Sequence, residues 1–133
     1  MKTRDEWILN CMNLECEVKK YLKEFFSMII WLVIMIPCSL LFTGIGLYAI
    51  KREKPMWFWS GSTVSETEIT DVKAYNRENG IMWICYSLVM WASTIMGVLN
   101  MAVAGLVLLI GSLAGLPILA VTYNRIYKKY KKK

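Results

Sequence analysis

Two long stretches of the chain contain only uncharged and mostly apolar residues. No Asp, Glu, Lys or Arg occurs from Phe25 to Ile50 or from Gly80 to Asn124. A helix needs roughly 20 apolar residues to cross a bilayer core of about 30 Å. The first stretch is therefore long enough for one crossing, and the second is long enough for two. This pattern predicts an all-α integral membrane protein with three transmembrane helices and an N-terminal amphipathic helix.

The longer stretch is expected to fold back on itself at Asn100. This residue is the only strongly polar one near the middle of the stretch. We therefore predict spans over 26–50, 81–99 and 101–122. The alternative is a single span followed by a buried membrane segment. It is less favoured because irregular backbone in lipid must be shielded by protein.

Residues 1–25 are predicted to form the amphipathic helix. Its apolar positions recur at alternating spacings of four and three, which places them on one stripe of a helix. They are Trp7, Cys11, Leu14, Val18, Tyr21 and Phe25. Two interpretations are open: a helix that lies on the membrane surface, or a short coiled-coil contact with a partner. Because the repeat covers fewer than three heptads, the surface helix is favoured.

Residues 51–80 are predicted to form a structured polar loop with a short helix. Ser65 followed by Glu68 has the pattern of a capping box, which marks the start of a helix. Asn79 and Gly80 have the pattern of a helix stop. We therefore expect an ordered connection between the first two spans.

This loop contains the candidate partner-binding residues. Aromatic side chains are expected at a membrane interface, and polar loop residues on a rigid scaffold often carry recognition. The candidates are Tyr75, Asn76, Asn79, Trp57 and Trp59. For the three polar loop-helix residues, two roles are open: they anchor the loop helix against the span ends, or they contact a partner.

Small residues at spacings of four occur in the last two spans. They are Gly111 with Gly115, and Ser93 with Gly97. Small residues at this spacing allow helix backbones to approach closely in lipid. The pattern fits either packing among the three helices of one chain or a homo-oligomer face. With three helices to pack internally, the first interpretation is favoured.

The excess positive charge lies in the tail, residues 123–133. The net charge is +6, and the segments before this tail contain equal numbers of acidic and basic residues. A Lys/Arg cluster after a span is typical of a cytoplasmic flank and attracts anionic lipid head groups. The candidate lipid-binding residues are Arg125, Lys128, Lys129 and Lys131. The charge therefore indicates a bilayer as partner and not nucleic acid.

The tail predicts a bacterial plasma membrane protein with a cytoplasmic C-terminus and an N-terminus outside. The basic residues of the loop agree with this orientation. Lys19, Lys20 and Lys23 oppose it, because they would flank the first span on the outer face. Two positive flanks against one favour the tail inside.

The residues needed for most membrane enzymes are missing from the sequence. The chain has no histidine, and neither apolar stretch contains an ionisable carboxylate or amine. Intramembrane hydrolases and proton-coupled transporters generally need such groups. The four cysteines do not have the spacing of a metal site. We therefore expect no enzymatic activity, no metal and no cofactor.

The arrangement of loop and spans resembles a known group of proteins. A first span, a loop with Gly61, Tyr75, Asn76 and Gly80, and a two-span hairpin with a basic tail are similar to small bacterial membrane proteins. These are distantly similar to SdpI-type immunity proteins, which protect a cell from its own membrane-active toxin. The resemblance covers about residues 40–127, and the fuller members have more spans and a basic, Trp-containing loop that this chain matches poorly.

The resemblance implies a non-enzymatic immunity-like, regulatory or accessory role, exerted through helix and loop contacts with a membrane protein partner. The alternatives are a holin-like pore former and a subunit of a small transporter. The ordered loop argues against the pore former, since small pore formers usually connect their spans briefly.

Overall fold

The computed structural model describes residues 3–57 and 63–132. The described residues form long helices and no strand. Three helices have the length and apolar composition to cross a membrane. The expected all-α fold is thus confirmed, and its elements are α1 (Arg4–Lys51), a 3₁₀ turn (Glu66–Glu68), α2 (Val72–Leu99) and α3 (Met101–Tyr130).

The predicted amphipathic helix and the first span are one uninterrupted helix. α1 contains 48 residues, which corresponds to a length of about 72 Å. This is more than twice the hydrocarbon thickness of about 30 Å. The helix continues because no Gly or Pro occurs between Arg4 and Ile36. Residues 4–24 therefore extend α1 beyond the apolar part of the first span.

The predicted separate loop helix is wrong, because its residues form the first turns of α2. The Asp71 side chain caps this helix by accepting a hydrogen bond of 3.0 Å from the Ala74 amide. The helix then passes through Asn79 and Gly80 without stopping. Ser65 caps only the 3₁₀ turn, where its hydroxyl accepts a hydrogen bond from the Thr67 amide.

The turn at Asn100 separates α2 from α3, where the sequence predicts it. The Asn100 side chain accepts hydrogen bonds from the Ala102 and Val103 amides, at 3.0 and 3.2 Å. These bonds satisfy two of the amides at the start of α3. The hairpin therefore begins α3 immediately after α2 ends.

α2 packs against both α1 and α3 and organises the helix bundle. Its backbone approaches α1 most closely at two glycines. A Cβ atom added to Gly80 would lie 2.6 Å from the Gly46 carbonyl oxygen, and one added to Gly46 would lie 2.8 Å from the Gly80 carbonyl oxygen. Gly80 thus serves helix packing instead of helix termination.

Aromatic and apolar side chains fill the space around this crossing. The Phe42 ring stacks on Trp83 with a centroid distance of 5.8 Å and meets Tyr86 edge to face at 5.2 Å. Contacts of this kind add to the energy of burial. The buried cluster of the bundle consists of Met35, Tyr86, Met90 and Leu119.

Hydroxyl groups connect α1 to α2 inside the apolar region. Ser39 and Thr94 lie 3.1 Å apart, and the Thr43 and Ser87 hydroxyls are also 3.1 Å apart. The Trp91 indole N–H donates to the Thr43 hydroxyl at 3.2 Å. Each of these four hydroxyls also donates to a carbonyl oxygen three or four residues earlier in its own helix. The polar groups at this interface are therefore satisfied within the bundle.

Candidate recognition surface at the loop end

The end of the molecule opposite the Asn100 hairpin contains the candidate partner-binding residues that the structure describes, Trp57, Tyr75, Asn76 and Asn79. We call this region the loop cap. It consists of residues 52–57 and 63–71, the first turns of α2, the end of α3 from residue 123, and residues 131 and 132, which follow α3.

Asn76 holds the chain that leaves α1. Its Nδ2 group donates to the carbonyl oxygens of Arg52 and Lys54, each at 2.8 Å. Its Oδ1 atom accepts from the Met56 amide, also at 2.8 Å. The side chain is fully buried. All three hydrogen bonds fix residues 52–56 against the start of α2.

Tyr75 fixes the same segment from a second direction. Its hydroxyl donates to the Met56 carbonyl oxygen at 2.9 Å and lies 3.1 Å from the Tyr123 hydroxyl. Burial, followed by the Tyr123 hydrogen bond, raises the pKa of the Tyr75 phenol well above its ordinary value. Tyr75 therefore remains protonated and keeps its donor.

Asn79 completes this polar layer but leaves one atom without a partner. Its Nδ2 group donates to the Tyr75 carbonyl oxygen at 3.0 Å. Its Oδ1 atom is the one buried side-chain oxygen or nitrogen in the described part of the chain without a hydrogen-bond partner. Such an atom costs roughly 1–3 kcal/mol in a protein interior.

The loop and the tail pair with each other like two short strands. Ile69 and Lys131 form an isolated antiparallel bridge. The Thr70 amide donates to the Tyr130 carbonyl oxygen, and the Lys132 amide donates to the Glu68 carbonyl oxygen, each at 2.8 Å. Loop and tail therefore lie at the same end of the helix bundle.

An aromatic stripe of α3 supports this pairing. Tyr123, Tyr127 and Tyr130 pack around the buried pair Ile69 and Ile126. In the sequence these three tyrosines recur at spacings of four and three, as residues on one face of a helix do. They are not among the predicted site residues.

The charges of the cap pair in part with each other. The Lys129 ammonium group donates to Glu78 Oε1 at 2.5 Å, and the Tyr130 hydroxyl donates to the same atom at 2.8 Å. These bonds lower the pKa of the Glu78 carboxyl, and the Glu78 carboxylate raises the pKa of Lys129. Lys129 therefore faces α2 in addition to being a candidate for lipid head groups.

The other candidate lipid-binding residues differ in their contacts. The Lys131 ammonium group lies 5.4 Å from the centre of the Tyr127 ring. Arg125 and Lys128 are exposed. These two cations, more than the paired ones, are accessible to an anionic surface.

At the edge of the cap, a half-buried arginine lies between two aromatic rings. The Arg52 guanidinium lies 4.5 Å from the centre of the Trp57 ring and 5.6 Å from that of Tyr48. Trp57 and Tyr48 are both exposed. Cation–π contacts at exposed sites stabilise by about 0.5–1 kcal/mol. Trp59 and Gly61 lie outside the described residues.

The candidate partner-binding residues thus fall into two groups, one buried and one exposed. Tyr75, Asn76 and Asn79 are buried and bonded within the chain, in agreement with the anchoring role. Trp57 is exposed beside Arg52, a residue that the sequence did not mark as a candidate. The accessible surface around Trp57 is therefore aromatic, with a half-buried cation beside it.

The small residues of the last two spans all meet helices of the same chain. A Cβ atom on Gly111 would meet Val89, and one on Gly115 would lie 2.7 Å from Tyr86. Gly97 packs against the Trp31 ring in the same way. The Ser93 hydroxyl donates to the Ala104 carbonyl oxygen at 2.9 Å. The structure uses these positions for packing within the chain.

No family model, no curated protein and no solved structure matches the chain. The resemblance to SdpI-type immunity proteins therefore remains a prediction. Among the residues that the structure describes, no group of three or more Cys, Asp or Glu side chains could hold a metal ion.

Proposed function

We propose that the protein is a non-enzymatic accessory protein of a bacterial plasma membrane, immunity-like or regulatory, which acts by contact through the loop cap. The observation that carries the proposal is the Asn76 clamp. It holds residues 52–56 in one conformation with three hydrogen bonds of 2.8 Å. A surface that is rigid before binding loses less entropy when a partner docks.

The charges support a cytoplasmic location for this surface. Loop and tail lie at the same end, so their basic residues act together on the orientation. Lys19, Lys20 and Lys23 lie on the part of α1 that extends from the opposite end. The positive-inside rule weighs Lys and Arg near span ends and gives acidic residues little weight. The larger basic group therefore favours the loop cap inside.

The proposal can be tested with bacteria that express the protein and are challenged with a panel of membrane-active peptides. Expression should raise the inhibitory dose of at least one peptide and leave the membrane potential intact. Asn76→Ala should remove the protection at an unchanged protein level in the membrane, because the segment that carries Arg52 and the exposed Trp57 is no longer held in place. Asn13→Ala, at an exposed position of α1 outside the loop cap, is the matched control and should protect like the wild type.

Two results would contradict the proposal. A collapse of the membrane potential when expression is induced would favour the holin-like pore former. A lack of protection against every peptide, with the protein present in the membrane, would contradict the immunity-like role.

A further inference from the structure

One apolar seam runs along almost the whole of α1. Its residues alternate at spacings of four and three, as in positions a and d of a heptad repeat. The seam begins with Trp7, Cys11, Leu14, Val18, Tyr21 and Phe25, and continues without a break through Met28, Leu32, Met35, Ser39, Phe42, Gly46 and Ala49. The repeat is therefore much longer than residues 1–25 alone indicate.

The two halves of this seam have different surroundings. From Met28 to Ala49 the seam faces the bundle: its residues are buried or half-buried, and Ser39, Phe42 and Gly46 contact α2 directly. From Trp7 to Phe25 the apolar side chains are 53–67% exposed. The first half is therefore a continuation of the α1–α2 interface without its partner helix.

Charges are sorted around the exposed half. When Val18 is placed at position a, the carboxylates of Glu15, Glu17 and Glu24 occupy positions e and g, which flank the seam. The basic residues Lys19, Lys20 and Lys23 occupy positions b, c and f, outside the e and g flanks, and Lys19 forms an exposed ion pair with Glu15 at 3.4 Å. Residues at e and g form salt bridges with a partner helix and decide which partner is accepted. Acidic flanks favour a partner with basic flanks.

The geometry restricts where this partner comes from. The last part of the exposed seam, Val18 to Phe25, borders a notch that is also lined by the charged residues Lys20, Lys23 and Glu24 and by residues 97–102 at the tip of the α2–α3 hairpin. A second copy in the same bilayer would extend its own α1 from the same side. That helix would have to enter the bilayer where the hairpin already lies.

Two other ways of covering the seam are also disfavoured: contact with the bilayer surface, and contact with the basic tail of the same chain. A helix that lies flat on the bilayer must bend sharply where it enters the span, whereas α1 is one uninterrupted helix whose Pro37 lies deep inside the span. The basic tail of the chain is bonded to the loop at the opposite end. The seam is thus left for a separate polypeptide that approaches from the aqueous side.

We propose that residues 7–25 of α1 are a docking site for an amphipathic helix of another protein, one that does not enter the bilayer and has an apolar heptad seam flanked by Lys or Arg. The partner helix completes the exposed half of the seam as α2 completes the other half. Its end rests on the hairpin tip, where Val98 and Leu99 are exposed.

The test uses the full chain in phosphatidylcholine nanodiscs and two fluorescent three-heptad peptides. Both peptides have Leu at positions a and d; one has Lys at e and g, and the other has Glu there. Anisotropy should show saturable binding of the Lys peptide, weakened by salt, and at least about tenfold weaker binding of the Glu peptide. Val18→Asp should weaken binding of the Lys peptide by about tenfold or more, because it places a charge in the seam. Cys16→Asp, at the exposed position f that faces away from the seam, is the matched control and should bind like the wild type.

Three results would overturn this proposal. They are equal binding of the two peptides, binding that Val18→Asp does not change, and binding to empty nanodiscs of the same strength. A fourth is a dimer in sedimentation that Val18→Asp dissociates, which would make a second copy the occupant. Val18 lies far from the loop cap, so a failure here leaves the test with Asn76→Ala unaffected.

Discussion

The crossing of Gly46 and Gly80 allows a quantitative prediction for Gly80→Ala. The added Cβ atom would lie 2.6 Å from the Gly46 carbonyl oxygen, whereas ordinary contact begins at 3.4 Å. The two backbones would therefore have to separate by about 0.8 Å at this point. The Ile50 side chain is also in the way and could rotate, but the Gly46 carbonyl oxygen belongs to the backbone, so no side-chain rotation relieves that clash.

Overpacking of this kind costs typically about 1–3 kcal/mol. A loss of about 2 kcal/mol lowers the ratio of folded to unfolded protein roughly 30-fold. The separation would also weaken the contact of Phe42 with Trp83 and the hydroxyl pairs between α1 and α2. We therefore expect the effect to lie in the upper half of this range.

The assay is unfolding of the purified protein by SDS in mild detergent, followed by circular dichroism. Gly44→Ala is the matched control, because a Cβ atom at Gly44 has no neighbour within 4 Å. Ala is about 1 kcal/mol better than Gly in a helix interior, so this control should be neutral or slightly more stable. Unfolding of Gly80→Ala at the same SDS fraction as Gly44→Ala would refute the close approach.

Three further predictions concern the hydrogen bonds. Ser39→Ala and Thr94→Ala should each lower the free energy of unfolding by about 0.6 kcal/mol. The double variant should lose less than the sum, because both substitutions remove the same hydrogen bond. Additive losses would contradict a hydrogen bond between Ser39 and Thr94. Tyr75→Phe should destabilise the protein by about 1 kcal/mol in the same assay, because the Met56 carbonyl loses its donor, whereas wild-type stability would contradict the bond. The Lys129 bond lowers the pKa of Glu78, so its stabilisation is present above the ordinary value of 4.5 and is lost as the pH falls through the lowered value. A Glu78→Gln variant should lack this part of the acid dependence, and equal pH profiles would contradict it.

The number of helices and the turn between α2 and α3 could be predicted because lipid imposes simple requirements. A crossing needs a minimum length without charge, and Asn100 interrupts an apolar run that is long enough for two crossings. The packing of Gly111 and Gly115 against α2 could also be anticipated, since three helices of one chain must pack against each other and small residues allow close approach.

Long-range contacts could not be predicted from the same sequence. Gly80 follows Asn79 in the pattern of a helix stop, and nothing local reveals that Gly46, on another helix, requires its lack of a Cβ atom. Asn76 bonds to backbone groups 20–24 residues away, which have no side-chain signature. The apolar seam of α1 can be recognised from its residue spacing. What such a seam contacts is shown only by its second half, which packs against α2.

If α1, α2 and α3 each cross the membrane, the N-terminal part of α1 lies on one side and the loop cap on the other. Labelling with a thiol reagent that does not cross membranes tests this arrangement directly, since Cys38 and Cys85 lie within the apolar stretches and Cys11 and Cys16 are exposed outside them. Intact cells with the wild-type protein should be labelled at these two residues. A variant with both replaced by Ser and with Glu66→Cys in the loop should be labelled only after the cells are permeabilised. Labelling of both proteins in intact cells, or of neither before permeabilisation, would place the two ends on the same side and contradict the three crossings.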